Sequence, residues 1–277
     1  MGAFKTVFNF YINSSIHVAL AIVSMSFVTC FEFDVPVDIN VFCFIGFASI
    51  LGYNFVKFFG KAKFHYRSLS NRLRAIQVFS VVCFFIMCIF LLHLKTASLI
   101  AILIFGLVTF LYAIPLFPHQ FFVDEKKELR RISGLKIYII ALVWSGVTVL
   151  LPLINNEFEV NDDVIFSMIQ RFIFVIVLML PFEIRDLNYD SLKLSTIPQR
   201  IGVKRTKVMG VLLLLLLLIL EFFKDDVNLS YSWSLIIMVL ILAFFLKYST
   251  IEQGRYYSAF WVESVPIWWA ILLLMFS

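Results

Sequence analysis

A chain of 277 residues with 62% hydrophobic side chains, 15% charged ones and a mean hydropathy of +0.97 has too few polar residues to cover a water-facing globule of its size. That excludes a soluble domain and makes lipid part of the solvent. The formal net charge of +5 implies no nucleic-acid partner, because membrane topology and anionic lipid account for it.

In chain order, apolar stretches long enough to cross a bilayer lie near 8–31, 38–59, 74–93, 97–116, 134–154, 163–182, 206–223, 231–247 and 257–276. They predict one domain over 1–277: an all-α, polytopic transmembrane bundle of about nine spans. The first stretch is followed by Glu32 and Asp34 and by no small-residue cleavage site, so it reads as a retained span and not a signal peptide. The leucine run from Leu212 to Leu218 suits a helix surrounded by hydrocarbon. Cys30, Cys43, Cys83 and Cys88 fall in or beside apolar segments with no C-x-x-C pair and read as packing residues.

Charge sorting tests this count independently. With nine spans, Lys5 and the loops 57–74, 117–136, 183–207 and 247–255 fall on one side and hold 20 of the 23 basic residues. The opposite loops are acidic: Glu32, Asp34 and Asp38, then Glu157, Glu159, Asp162 and Asp163, then Asp225 and Asp226. The basic side is predicted to be cytoplasmic, with the N-terminus inside, in a multi-pass protein of the cell membrane.

Where the sixth span ends, the sequence reads PFEIRDLNYDSLKLSTIPQRIGVKRTK. If the helix continues past Pro181, then Glu183, Asp186 and Asp190 share one face at i, i+3 and i+7. Crowded carboxylates repel one another unless cations join them, either Mg²⁺ together with phosphate oxygens or nearby Arg and Lys. The plainer alternative is that the three acids merely pair with loop cations at the headgroup level.

This stretch resembles the second aspartate motif of the UbiA-type membrane prenyltransferase superfamily, in Arg185, Asp186, Asp190, Thr196, Ile197, Pro198 and Gly202. The nine-span, N-inside arrangement is similar too, and Tyr112, Lys136, Trp144 and Pro152 fit more loosely. The resemblance implies a cytoplasmic-side site that moves an isoprenoid chain from a prenyl diphosphate to an aromatic or other lipophilic acceptor. It implies Asp186 and Asp190 as catalytic magnesium ligands with Glu183 as a third, and a cofactor of Mg²⁺, as a single ion or as two. The chain departs from the family at the end of the second span, GYNFVKFFGKAKFHYR. Asn54 is kept, but Phe55 and Phe58 stand where the first aspartates are expected. Tyr112 is followed four residues later by Leu116 where many members have Lys, and the linker before Thr196 lacks a Gly.

Asn54, Lys57 and Lys61 repeat the i, i+3, i+7 spacing, so a cationic face replaces an acidic one. Either the lysines hold the diphosphate directly, or they neutralise the carboxylates and leave a non-catalytic prenyl-lipid-binding or scaffold protein on the same fold. A third reading takes them as an ordinary cytoplasmic loop. Asn54, Lys57, Lys61, Arg185 and Arg200 are the diphosphate candidates. Inside the spans, His17 reads as an interhelical hydrogen-bonding residue, and Trp261, Trp268 and Trp269 as interfacial or packing aromatics. Arg171 and Glu263 each need a partner, which they could find in each other, or Arg171 could snorkel to the headgroups. These three ionisable groups also raise a small transporter as a competing class, although no half-to-half symmetry supports it.

Overall fold

The computed structural model describes residues 2–62, 71–113, 134–187 and 196–276, excepting the side chains of 3, 58–62, 71–72 and 113. Among these the chain is helical, with no strand. The elements are α1 (Ala3–Asn13), α2 (Ile16–Glu32), α3 (Ile39–Ala62), α4 (Asn71–Leu91), α5 (Thr96–Ala113), α6 (Leu135–Ser145), α7 (Leu151–Asn155), α8 (Asp162–Asp186), α9 (Ile197–Glu221), α10 (Leu229–Tyr248) and α11 (Val265–Leu274). A π-helical turn, Gly146–Leu150, joins α6 to α7, and a second, Tyr257–Val262, precedes α11.

Helix α8 is the axis of the bundle. Every residue from Ile173 to Leu178 is buried, so this stretch of the helix is apolar all round and packed on all sides. The outer helices α4 and α5 instead turn Val78, Val81, Phe85, Leu103, Ile104 and Leu107 outward. Such a belt would be unstable in water and is what a bilayer requires.

Among the described residues, six helical units are long and apolar enough to cross a membrane: Ile39–Lys57, Leu73–Leu91, Leu135–Asn155, Asp162–Asp186, Leu229–Tyr248 and Tyr257–Leu274. The bent pair Phe4–Asn13 and Ile16–Glu32 makes a seventh if taken as one span, and Thr96–Tyr112 is a shorter apolar helix. The sequence windows suggest about nine. The two shortfalls are α5, which reaches the edge of the described residues, and α9, whose first turns carry Arg200, Lys204, Arg205 and Lys207 ahead of the leucine run.

Besides the second π turn, the described residues contain three further breaks in helical regularity. Between α1 and α2 the chain turns by 57°, with Ser15 in the left-handed region at φ 63°. The turn frees backbone groups that lipid cannot satisfy, and Asn54 of α3 meets one of them, the Ser14 carbonyl. Its Nδ2 donates to Ser14 O (3.1 Å) and Ser80 Oγ (3.0 Å), while its Oδ1 accepts from Ser15 Oγ (2.9 Å). At the π turn after α6, the Phe105 ring lies against Gly146, where a Cβ would sit 1.9 Å from it. In α9, Gly202 takes φ 80° and ψ 157°, a conformation almost confined to glycine, and Thr206 Oγ1 bonds its carbonyl at 2.9 Å.

Candidate functional site

Helix α8 continues through Pro181 to Asp186, as the face argument requires. Pro181 donates no backbone hydrogen bond, and its carbonyl accepts from Gln253 Nε2 at 2.7 Å, tying α8 to the segment before the second π turn. Glu183 and Asp186 thus emerge one turn apart. Glu183 is buried, and Lys136 Nζ of α6 approaches it to 3.9 Å. Asp186 is partly exposed; Arg185 Nε and Nη2 both reach its Oδ1 at 2.8 Å, and the same guanidinium lies 5.4 Å from the centre of the Phe182 ring.

Lys57 approaches from α3. It is exposed, and its Nζ donates to Asn13 O at the end of α1 (3.1 Å). Asn54 sits one turn deeper and is 4% exposed, its amide engaged by the α1–α2 bend. Arg200 is exposed on the first turn of α9. Asp190 lies outside the described residues, as does the side chain of Lys61.

The third wall comes from the last span, where a pairing of Glu263 with Arg171 was one of the alternatives the sequence left open. Glu263 follows the second π turn, and its backbone N–H reaches back five residues to Ser258 O (3.2 Å). Its carboxylate is in electrostatic reach of Lys57, Arg185, Tyr11 and Tyr53. Arg171 instead belongs to the opposite end of the bundle. It is 2% exposed, so it does not snorkel; its Nη2 donates to Thr29 Oγ1 (3.2 Å), and its guanidinium stacks 5.1 Å from the centre of Trp269. Trp269 is itself fully buried and Trp261 is half-exposed.

His17 links the bend to the π turn, in the role expected of it. Phe260 O can only accept, so the His17 Nε2–H donates to it (3.0 Å), and Nδ1 is left to accept from Tyr11 O–H (2.7 Å). Tyr53, which the motif comparison passed over, is the other polar group of the wall. Its hydroxyl accepts from Trp144 Nε1 (2.8 Å), which leaves its own proton available to a ligand.

This end of the bundle therefore gathers Lys57, Arg185 and Lys136 with Glu183, Asp186 and Glu263 beneath aromatic side chains. The carboxylates are hard oxygen donors of the kind magnesium takes. Among the described residues, no three His, Cys, Asp or Glu side chains converge in a metal-binding cluster. Glu183 and Asp186 fit the ion in donor chemistry, and Asp190 is the third carboxylate of the motif.

No family model matches the chain, and no curated protein matches it in sequence. Solved structures do match in three dimensions. A UbiA homologue from Archaeoglobus fulgidus bound to GPP and Mg²⁺ aligns with TM-score 0.66 at 12% identity, covering 96% of this chain and 98% of that one. The apo structure of a UbiA homologue from Aeropyrum pernix K1 gives 0.64 at 13% identity, over 94% and 98%. A digeranylgeranylglyceryl phosphate synthase gives 0.57 at 15% identity, over 98% and 96%. The chain is an integral multi-pass membrane protein with the UbiA-type prenyltransferase fold.

Proposed function

We propose that this chain is a membrane prenyltransferase that moves an isoprenoid from a prenyl diphosphate to a lipophilic acceptor, aromatic or otherwise. Its site faces the cytoplasm from the cell membrane. The observation that carries this reading is the pairing of Arg185 with Asp186 and of Lys136 with Glu183 at one end of α8 in a UbiA-type bundle, with Lys57 of α3 in electrostatic reach of the same end.

Breaking the allylic C–O bond puts negative charge on the diphosphate and positive charge on the prenyl carbon. Lys57 and Arg185 stabilise the first with their positive charge, and Arg200, exposed on the first turn of α9, assists. The faces of Tyr53 and Trp144 stabilise the second. Asp186, Asp190 and Glu183 would hold magnesium, which when bound neutralises diphosphate charge. Lys57 takes over the charge-neutralising task that falls elsewhere in the superfamily to the magnesium held by the aspartates replaced here by Phe55 and Phe58. Asn54 serves that lysine indirectly, by fixing the bend that presents Asn13 O to it. In the bound state Arg185 turns from Asp186 to the diphosphate.

The closed Arg185–Asp186 pair also supports a second reading, in which the acid stays neutralised and the protein binds prenyl lipid without catalysis. Purified protein incubated with labelled prenyl diphosphates of several chain lengths, Mg²⁺ and a panel of lipophilic acceptors decides between them. Transfer supports the enzyme, and binding without transfer supports the carrier. If neither occurs while a related active enzyme works under the same conditions, both fail.

A further inference from the structure

We propose that Arg255, which no motif marks, is a further substrate-binding residue, and that it closes with Lys57 on the diphosphate from the side of the last span. This rests on the reading above and deepens it.

The chain between α10 and the second π turn is tied down at two points. Gln253 Nε2 donates to Pro181 O of α8 (2.7 Å), two residues before Glu183, and to Ser258 Oγ (2.6 Å). Tyr256 O–H donates to Asn9 Oδ1 of α1 (2.8 Å), and the Phe8 ring packs edge-on against Tyr256 with centroids 5.3 Å apart. Arg255 lies between these anchors, so its backbone is held in place while its side chain stays exposed. Its guanidinium lies 5.6 Å from the centre of the Tyr256 ring.

Two cations from distant parts of the chain meet at one neutral residue. Asn13, the last residue of α1, accepts from Lys57 Nζ at its backbone oxygen (3.1 Å) and from Arg255 Nη2 at its side-chain oxygen (3.4 Å). Among the described residues Arg255 forms no ion pair. Like charges gathered this closely repel one another unless an anion joins them. The C-terminal dipole of α1 supplies only about half an elementary charge against two full ones, so a positive excess is left. A multiply charged anion removes that excess, and a 3.4 Å bond is long enough to give way to it.

A phospholipid headgroup offers the same phosphate chemistry as the substrate. The substrate is favoured by position, because the Gln253 bond sets Arg255 beside the end of α8 that carries Glu183, Arg185 and Asp186. Lys57 and Arg255 then take one part of the diphosphate, and Arg185 and the acidic face are left to the rest. The forked donors of a guanidinium suit two oxygens of one phosphate, which an ammonium matches only in charge.

The test compares wild type, Arg255→Gln and Arg255→Lys in nanodiscs of zwitterionic lipid and in nanodiscs containing anionic phospholipid. The probes are labelled prenyl diphosphates of several chain lengths with Mg²⁺, and the corresponding prenyl alcohols. Arg255→Gln should weaken prenyl diphosphate binding about 10- to 150-fold in both kinds of disc, the loss of one charge-assisted contact. Prenyl alcohol binding and the melting temperature should not change. Arg255→Lys should recover part of the affinity. Prenyl diphosphate affinity of Arg255→Gln within about threefold of wild type would overturn the inference alone. So would an equal loss of prenyl alcohol binding, which would mark a structural role, or a loss confined to anionic discs, which would assign Arg255 to the phospholipid headgroups. Failure of wild type to bind any prenyl diphosphate would instead overturn the underlying function, and this inference with it.

Discussion

Replacing Lys224 with methionine should destabilise the bundle more than any other single loss of charge outside the candidate site. Lys224 Nζ lies 2.6 Å from Glu32 Oε1 and 2.8 Å from Glu221 Oε2, with the three side chains 3%, 5% and 10% exposed. Gln170 Nε2 and Ser232 Oγ also bond Glu221, Ser167 Oγ bonds Glu32, and Arg171 is electrostatically coupled to Glu32. The group thus balances two cations against two anions at the end of the bundle opposite the candidate site. At an effective dielectric constant of about 20, each Lys224 contact is of order 6 kcal/mol, offset by several kcal/mol of desolvation per ion. Removing one partner of such a buried pair costs about 3–5 kcal/mol. At about 2–4 °C per kcal/mol, Lys224→Met should lower the melting temperature in detergent by roughly 6–20 °C. The double variant Lys224→Met/Glu221→Gln, which restores neutrality, should recover at least half of that loss. A loss below about 1 kcal/mol, or a double variant no more stable than the single, would refute this account of the cluster.

Gly146→Ala should destabilise by about 1–3 kcal/mol, because its Cβ would meet the Phe105 ring; pairing it with Phe105→Leu should relieve much of the loss in thermal unfolding. Gly202→Ala forces a non-glycine residue to φ 80° and ψ 157°, at about 1–3 kcal/mol, read by the same assay. Asn54→Ala leaves Ser14 O without its donor and should cost about 1–3 kcal/mol, with faster hydrogen exchange confined to the α1–α2 bend. Outside the spans, the Lys95 ammonium hydrogen-bonded to Glu157 at 2.8 Å holds that carboxyl below its ordinary range. The folded value is the depressed one, so the pair's contribution is present at neutral pH and is lost as pH falls through the folded value. In Lys95→Met, an NMR titration should show Glu157 rising to an ordinary carboxylate value.

The all-α membrane bundle was legible from hydropathy alone, and the shared face of Glu183 and Asp186 from a helical register that Pro181 does not interrupt. Contacts between distant helices were not legible. Glu32 and Lys224 read as loop charges, yet they meet across 192 residues of chain inside the bundle. Whether Glu263 and Arg171 meet was left open by the sequence, and Arg171 finds Thr29 and Trp269 instead, on helices distant in the chain. Asn54 read as a diphosphate contact, while its amide answers a backbone demand created by Ser14 and Ser15 on another helix. A Ser-Ser pair inside an apolar stretch marks such a bend only in hindsight, since serine side chains usually bond back to their own helix.

The most direct measurement is equilibrium binding of a labelled prenyl diphosphate, with Mg²⁺, to wild type and to Lys57→Ala/Arg185→Ala. Each cation removed forfeits about 1.5–3 kcal/mol of charge-assisted bonding, so the double variant should bind at least about 100-fold more weakly while keeping its fold. Equal affinity in the two proteins, or none in the wild type, would contradict the claim that these two side chains grip the substrate.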